Sequence, residues 1–327
     1  MRRLMIYMCA RHGLYIGVLS CLILLTHCTK TSAEKIEPPK KEEGTPGTQP
    51  NPLVAEHWKV GQRFFTDNEW AECMVGDMPL VLTAPHGGDI KPAGIPDRSC
   101  PNAKTAKDLY TQELAREIAA ELYETYGVRP YVVINLLHRS KLDPNREIEE
   151  ASCGNETMKE AWRGFQGYID SALSTAVHHH GRALFVDLHG HVGDQIELGY
   201  SLTGTNLRTL ANGNDITNLI AKSTMVNYMT KRSPAIFQGM IMGDAAFGTL
   251  LENEGIPAMP SKQKKAPLSG VSFFSGGYIS DRYGAVAYPG VYGFQMECHP
   301  SIRNAERSAF VKTFAKLIMQ YLENTTF

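Results

Sequence analysis

Four segments of the 327-residue chain carry reactive polar side chains at or near the ends of apolar runs that resemble buried strands. In open α/β sheets, functional groups gather beyond the carboxyl ends of the strands, because the loops there converge on one crevice. Imidazole, carboxylate and guanidinium groups together suit metal-assisted hydrolysis. The segments are Ala84-Pro85-His86-Gly87-Gly88-Asp89, His138 to Arg146, Asp187-Leu188-His189-Gly190-His191 and Gln295-Met296-Glu297.

Two of these segments offer nitrogen and oxygen ligands for a metal ion. His86 and Asp89 share a tight turn that glycines permit, although a turn histidine bonded to backbone fits the same pattern equally well. Alternation along a strand places Asp187 and His189 on one face, so the histidine at the strand end can reach into the crevice. His191 is the competing ligand at that strand end.

The segment from His138 to Arg146 is rich in groups that bind or orient carboxylates. Arg139 and Arg146 can each form a bidentate pair with a carboxylate, and Asn145 can add a donor. Asp143 is the type of residue that holds a metal-bound histidine through its other ring nitrogen. A solvated polar loop is the alternative interpretation of this segment.

The last apolar run contains one acidic residue, Glu297. Burial of a carboxylate is costly unless it is paired or functional, and burial raises its pKa toward the range useful for acid–base catalysis. Glu297 is therefore a candidate general base. The alternative is a structural pair between a buried glutamate and an arginine.

Strand-like runs alternate with helical patterns after residue 52, which predicts one α/β domain with helices packed on a parallel or mixed sheet. The content of hydrophobic residues, 43%, is enough for one large core. Predicted strands cover residues 79–84, 131–137, 183–188, 195–202 and 291–297, and predicted helices cover 105–126, 156–177, 216–229, 245–253 and 305–322.

The N-terminal region reads as a targeting segment followed by a tether. Arginines precede an apolar run that ends at Leu25-Thr26-His27-Cys28, which resembles a bacterial lipoprotein signal, with an uncleaved anchor as the alternative. Residues 29–52 are too polar to fold and predict a disordered tether. We therefore expect a signal at 1–28, a catalytic domain at 53–327 and a lipid-anchored, exported protein of the cell envelope that faces the periplasm or the cell surface.

Charge and cysteine content restrict the partners and the compartment. The formal net charge of −1, from 33 basic and 34 acidic residues, predicts no nucleic-acid partner. The domain has four cysteines, Cys73, Cys100, Cys153 and Cys298, which in an oxidising compartment allow two disulfides in three pairings.

Six motifs in order resemble the N-formylglutamate amidohydrolase family, over the chain from about Pro79 to the C-terminus. That family is similar in turn to the zinc carboxypeptidases and to the aspartoacylase and succinylglutamate desuccinylase enzymes. The resemblance implies a three-layer α/β sandwich with a central mixed sheet flanked by helices. The motifs are Ala84-Pro85-His86-Gly87-Gly88; Asp108 with Thr111; His138-Arg139-Ser140 with Asp143 and Asn145-Arg146; Asp187-Leu188-His189; Ser275-Gly276-Gly277-Tyr278; and Gln295-Met296-Glu297.

The resemblance also implies roles for individual residues. One zinc ion is expected per chain, with His86, Asp89 and His189 as ligands and Glu297 as the base. Asp89 departs from the wider group, where a glutamate occupies that position. The resemblance further implies that Asp143 and Asp187 support the ligands, that Arg139 neutralises the oxyanion or anchors the substrate, and that Asn145, Arg146 and Tyr278 contact the substrate.

The expected reaction is metal-dependent hydrolysis of an amide bond in a substrate with a free carboxylate, either an N-acyl amino acid similar to N-formylglutamate or a small peptide. Formylglutamate arises inside cells, so the predicted export favours other N-acyl amino acids, peptides or cell-wall fragments. A zinc carboxypeptidase and a non-catalytic, carboxylate-binding lipoprotein are the alternatives.

Overall fold

The structure is a computed structural model that describes residue 55 and residues 57–325. The predicted signal segment at 1–28 and the tether at 29–52 lie outside the described residues. Within the described part of the chain, no helix has the length and apolar character needed to cross a membrane.

An eight-stranded mixed sheet forms the centre of the described domain. Its strands are β1 (Arg63–Phe65), β2 (Ala71–Met74), β3 (Leu80–Ala84), β4 (Tyr131–Asn135), β5 (Ala183–Gly190), β6 (Ile196–Gly199), β7 (Ala258–Met259) and β8 (Val291–Cys298). Their order across the sheet is β1-β2-β4-β3-β5-β8-β6-β7. The four central strands β4, β3, β5 and β8 run parallel, so their carboxyl ends meet at the same edge.

Helices cover both faces of this sheet. They are α1 (Thr111–Tyr126), α2 (Ile148–Ser152), α3 (Glu156–His180), α4 (Gly204–Ala211), α5 (Ile216–Lys222), α6 (Val226–Met229), α7 (Phe237–Met242), α8 (Phe247–Asn253), α9 (Tyr278–Tyr283), α10 (Pro300–Arg303) and α11 (Arg307–Asn324), with a 3-10 turn at Pro234–Ile236. Residues of α1, α8 and α11 pack on one face, and residues of α3 and α9 pack on the other. The predicted three-layer α/β fold is confirmed.

The central strands are mostly apolar, as is usual for strands that are covered on both faces. On β5, Leu184 and Val186 pack in the core beneath α1 and α11, whereas Phe185 packs toward α3. Toward the carboxyl ends of the strands, the face that carries Phe185 becomes polar. Polar side chains occupy neighbouring register positions on that face of the paired strands: Thr83, Asp187, His189, Gln295, Glu297 and Glu197.

Two predicted helices begin or break differently in the structure. The helix expected from Thr105 begins at Thr111, because Tyr110 has φ 67°, a left-handed conformation that a right-handed helix does not continue through. The helix expected over 216–229 is split into α5 and α6, since Ser223 is extended and the next amide donates to the carbonyl of Tyr200. The first difference leaves residues 105–110 as a loop that passes the candidate site.

One disulfide is present among the described residues, between Cys100 and Cys153, instead of the two that four cysteines allow. Cys73 on β2 and Cys298 on β8 are buried free thiols. The sheet places β4, β3 and β5 between these two strands. Four strand spacings amount to roughly 19 Å, far beyond the ~7 Å that a disulfide can bridge between Cα atoms.

We expect Leu184→Ala to lower the free energy of unfolding by about 2–5 kcal/mol, because it leaves a cavity at a fully buried position of the central strand. Val286→Ala is the control, since Val286 is 67% exposed, and should change it by less than ~0.5 kcal/mol. Urea unfolding followed by circular dichroism measures both. Equal effects in the two variants would contradict the described core.

Candidate metal centre

Two histidines meet where neighbouring parallel strands end. His86 follows β3 and His189 lies at the end of β5, and these strands are adjacent in the sheet. Both imidazoles are buried, and their Nδ1 atoms lie 3.1 Å apart. The sheet topology thus brings together two side chains that are separated by about a third of the sequence.

A third donor comes from the loop that precedes α1. The backbone N–H of Asp108 donates to the carbonyl of His86 (3.0 Å), which fixes the loop beside the first histidine. Its Oδ2 atom lies 3.3 Å from Nδ1 of His86 and 3.2 Å from Nδ1 of His189, and it accepts a hydrogen bond from the N–H of Gly190 (3.2 Å). His86, Asp108 and His189 are all buried, and their ligand atoms lie within 4.8 Å of one another.

Two further aspartates fix the orientation of the imidazoles. Oδ1 of Asp143 lies 2.6 Å from Nε2 of His86, and Oδ2 of Asp187 lies 2.8 Å from Nε2 of His189. Thr83 in turn donates to Asp187 (2.5 Å). An ionised carboxylate only accepts hydrogen bonds, so each ring carries a proton on Nε2 and, when neutral, presents the lone pair of Nδ1 to the other histidine.

The three atoms that face one another, Nδ1 of His86, Nδ1 of His189 and Oδ2 of Asp108, therefore attract positive charge. Two Nδ1 lone pairs and a carboxylate oxygen face one another at hydrogen-bond distance, an arrangement that a cation or a proton must stabilise. Burial disfavours the charged form of His189, but Asp187 and Asp108 outweigh it and raise the pKa of this histidine well above its ordinary value. Burial also opposes ionisation of Asp108, yet hydrogen bonds with His189 and His86 hold the pKa of its carboxyl well below the usual range.

A divalent metal ion fits this group. Two imidazole nitrogens and one carboxylate oxygen form a ligand set that catalytic zinc sites use, with a further position left for water or substrate. The aspartates on the outer ring nitrogens are the partners that metal-bound histidines usually have. Mixed sites of this kind also accept other divalent ions.

Glu297 lies beside this group on the next strand. It is the register partner of His189 across β5 and β8, is 5% exposed, and accepts a hydrogen bond from Gln295 (2.8 Å). Burial raises the pKa of its carboxyl, the charge of His189 opposes that rise, and Asp108 reinforces it. A carboxylate with a raised pKa beside the metal-binding group of His86, Asp108 and His189 is suited to accept a proton from water.

The structure also brings Arg139 and Asn145 to the centre. Nε of Arg139 donates to Asp143 (3.0 Å), and its NH1 atom lies 3.5 Å from Oδ1 of Asp108. The amide nitrogen of Asn145 lies 3.3 Å from Nε2 of His189, and its Oδ1 atom accepts the N–H of Ile279 (2.8 Å). Both side chains border the metal-binding group, and their contact with a substrate stays a prediction.

Asp108, and not Asp89, supplies the carboxylate that faces the two histidines. The side chain of Asp89 is 79% exposed and pairs with Lys107. The His-x-x-Asp turn continues away from the strand end, so the acidic residue points into solvent. His191, the competing ligand in the sequence, instead bonds to the carbonyl of Gln195 (2.7 Å).

Two expected substrate contacts, Arg146 and Tyr278, have their polar groups bonded to residues outside the metal-binding group. Arg146 pairs with Glu150 (3.2 Å), with its side chain about one-third exposed. Tyr278 accepts a hydrogen bond from Arg282 (3.1 Å), and its ring packs beside Trp162.

Residues outside the predicted set complete the site. Arg98 is buried, donates to the carbonyl of Arg139 (3.2 Å), and has NH1 3.8 Å from Asp143. Its sequence context, Pro96-Asp97-Arg98, has no pattern that separates it from a surface arginine. Asp108 did stand out in the sequence, within the Asp108-x-x-Thr111 motif, but without a role as a ligand.

Three solved structures are similar to this chain at low sequence identity. A gene product of Agrobacterium tumefaciens, Atu2144, is 13% identical with a TM-score of 0.47, over 80% of this chain and 97% of that one. An N-formylglutamate amidohydrolase from Ralstonia eutropha JMP134 is 12% identical with a TM-score of 0.46, over 77% and 97%. Zinc-free YNDL is 16% identical with a TM-score of 0.33, over 80% and 93%. No family model and no curated protein matches the chain.

We expect the purified protein to bind about one zinc ion per chain, and His86→Ala, His189→Ala and Asp108→Ala to abolish this binding. Asp143→Asn and Asp187→Asn should weaken it about 10–100-fold, since they remove the acceptors that orient the imidazoles. Mass spectrometry of metal content and competition with a chelating dye measure these effects. Asp89→Asn is the control; loss of zinc in this variant, with retention in Asp108→Ala, would contradict the assignment.

Proposed function

We propose that this protein is a metal-dependent hydrolase that cleaves an amide bond in a small substrate with a free carboxylate, such as an N-acyl amino acid or a short peptide. The observation that supports this most is the buried group of His86, Asp108 and His189, with Glu297 beside it on the adjacent strand. Zinc is the proposed metal.

Each residue has a defined part in the proposed reaction. A zinc ion held by the two histidines and Asp108 would polarise the scissile carbonyl and lower the pKa of a water molecule. Glu297 accepts the proton of the attacking water and passes it to the leaving nitrogen, which its raised pKa favours. Asp143 and Asp187 keep the ring protons on Nε2 and thereby orient both imidazoles.

Arg139 and Asn145 support a carboxylate-bearing substrate. The guanidinium of Arg139 is already bound to Asp143, which orients it, and 14% of its side chain remains exposed for a substrate anion or the oxyanion. Asn145 contributes an amide beside His189. Arg146, turned toward Glu150, is the less favoured carboxylate contact.

We expect Glu297→Gln to lower kcat by about 10²–10⁴-fold while zinc binding persists, because the variant cannot accept a proton. Glu124→Gln, an exposed change on α1, is the control. Release of the amino acid from N-formyl, N-acetyl and aminoacyl derivatives of glutamate and aspartate is the assay. Wild-type protein that binds zinc and these compounds but cleaves none would instead identify a binding protein.

We also propose that the protein is exported and anchored by a lipid on Cys28, as the Leu25-Thr26-His27-Cys28 pattern predicts. In a bacterial host, the wild-type chain should incorporate an alkyne-labelled fatty acid and sediment with membranes. The Cys28→Ser chain should not be labelled. Equal labelling of both chains would contradict a lipid on this cysteine.

A further inference from the structure

A second buried carboxylate lies next to the candidate base and has no part in the reaction above. Glu197 on β6 is the register partner of Glu297 on β8. Paired residues on neighbouring strands project from the same face of a sheet. Glu197 is 9% exposed, so its carboxylate is largely removed from bulk water.

Glu197 has no positively charged partner among the described residues. Its Oε2 atom accepts the backbone N–H of Phe274 (2.8 Å), and within the described chain its other oxygen has no hydrogen-bond donor. His191, whose ring packs against Phe274, is bonded elsewhere: one ring nitrogen contacts the carbonyl of Gln195 and the other contacts the N–H of Gly193. A buried carboxylate without a counter-charge is costly, which indicates a site for a cationic group.

The sheet order arranges the charges of the site in a line. Strands β4, β3, β5, β8 and β6 are consecutive neighbours. The segments that follow β4 and β3 carry Arg139 and His86, and strands β5, β8 and β6 carry, in the same order, the second histidine, the base and Glu197. A substrate that lies across the strand ends thus meets a positive side chain at one end and a negative side chain at the other.

We propose that Glu197 is a specificity-determining residue that binds a primary ammonium group on the acyl part of the substrate. The substrate would then be an aminoacyl amide with a carboxylate on its leaving amino acid, that is, a short peptide rather than an N-formyl compound. This inference rests on the proposed function. A second metal ion is the less favoured occupant, since in the described residues the single group of three convergent donors is His86, Asp108 and His189.

The test compares kcat/KM for two matched substrates in the wild type and in the isosteric variant Glu197→Gln. Glycyl-glutamate and N-acetyl-glutamate differ in one substituent on the carbon next to the scissile carbonyl, which is an ammonium group in the first and a hydrogen atom in the second. Zinc-loaded wild type should prefer the glycyl compound at least about tenfold in kcat/KM. Glu197→Gln removes the charge but keeps an oxygen for Phe274, and should lower this preference at least tenfold, with partial recovery in Glu197→Asp.

A structural role for Glu197 gives a different result: both substrates lose activity equally and the preference is unchanged, which would overturn the proposal. Cleavage of both compounds by the wild type with equal kcat/KM would do the same. A second zinc ion in the wild type that is lost in Glu197→Gln would assign the carboxylate to metal binding instead.

A binding measurement separates this inference from the proposed hydrolysis. Calorimetry in the Glu297→Gln background, which should not turn over substrate, compares the affinities for the same two compounds with and without Glu197→Gln. Tighter binding of glycyl-glutamate that depends on Glu197 supports the ammonium site even if the wild type cleaves neither compound. Equal binding, or binding of neither compound, would overturn it.

Discussion

The site depends on one electrostatic constraint, the convergence of three hydrogen-bond acceptors in a buried space. Asp143 and Asp187 hold the ring protons of His86 and His189 on the outer nitrogens. The inner nitrogens, 3.1 Å apart, and the carboxylate of Asp108 therefore face one another. The lone pairs of these three acceptors repel one another unless a positive charge lies between them. The folded protein is therefore expected to bind a cation at this position.

The rest of the fold serves to bring these acceptors together. Strands β3 and β5 are parallel neighbours, which places both histidines at one edge of the sheet. The backbone bond from Asp108 to the carbonyl of His86 holds the loop before α1 against that edge. Arg98 and Arg139 lie beside Asp143. Burial opposes ionisation of this aspartate, but His86, and after it Arg139 and Arg146, hold the pKa of its carboxyl well below the usual range.

The sequence predicted the residues whose positions follow from strand periodicity. His189 and Glu297 each lie on an alternating strand face, and His86 follows a short apolar run, so the strands alone place them at the crevice. Asp89 was the wrong acidic residue because sequence spacing cannot tell which way a turn continues. Asp108 belonged to a motif in the sequence, but it fell inside a predicted helix that begins six residues too early, so its place in a loop beside His86 was not evident. The left-handed Tyr110, directly before the observed helix, has no sequence signal of its own.

Glu197 was missed for a related reason. Its strand pairs with β8 in the antiparallel direction, and the register that sets Glu197 beside Glu297 depends on pairing between segments about a hundred residues apart. The disulfide pairing likewise could not be predicted from the sequence, which allows three pairings of the four cysteines. The strand order decides it, because it places Cys73 and Cys298 on strands that are too far apart to form a disulfide.

The most direct test of the cation-binding constraint is a crystal structure of the protein grown with zinc, with diffraction data collected at the zinc absorption edge. We expect an anomalous peak within bonding distance, about 2.0–2.2 Å, of Nδ1 of His86, Nδ1 of His189 and a carboxylate oxygen of Asp108. A peak bound through Nε2 of either histidine would contradict the account. So would a peak at the three consecutive histidines that end α3, His178-His179-His180, with none between His86, Asp108 and His189.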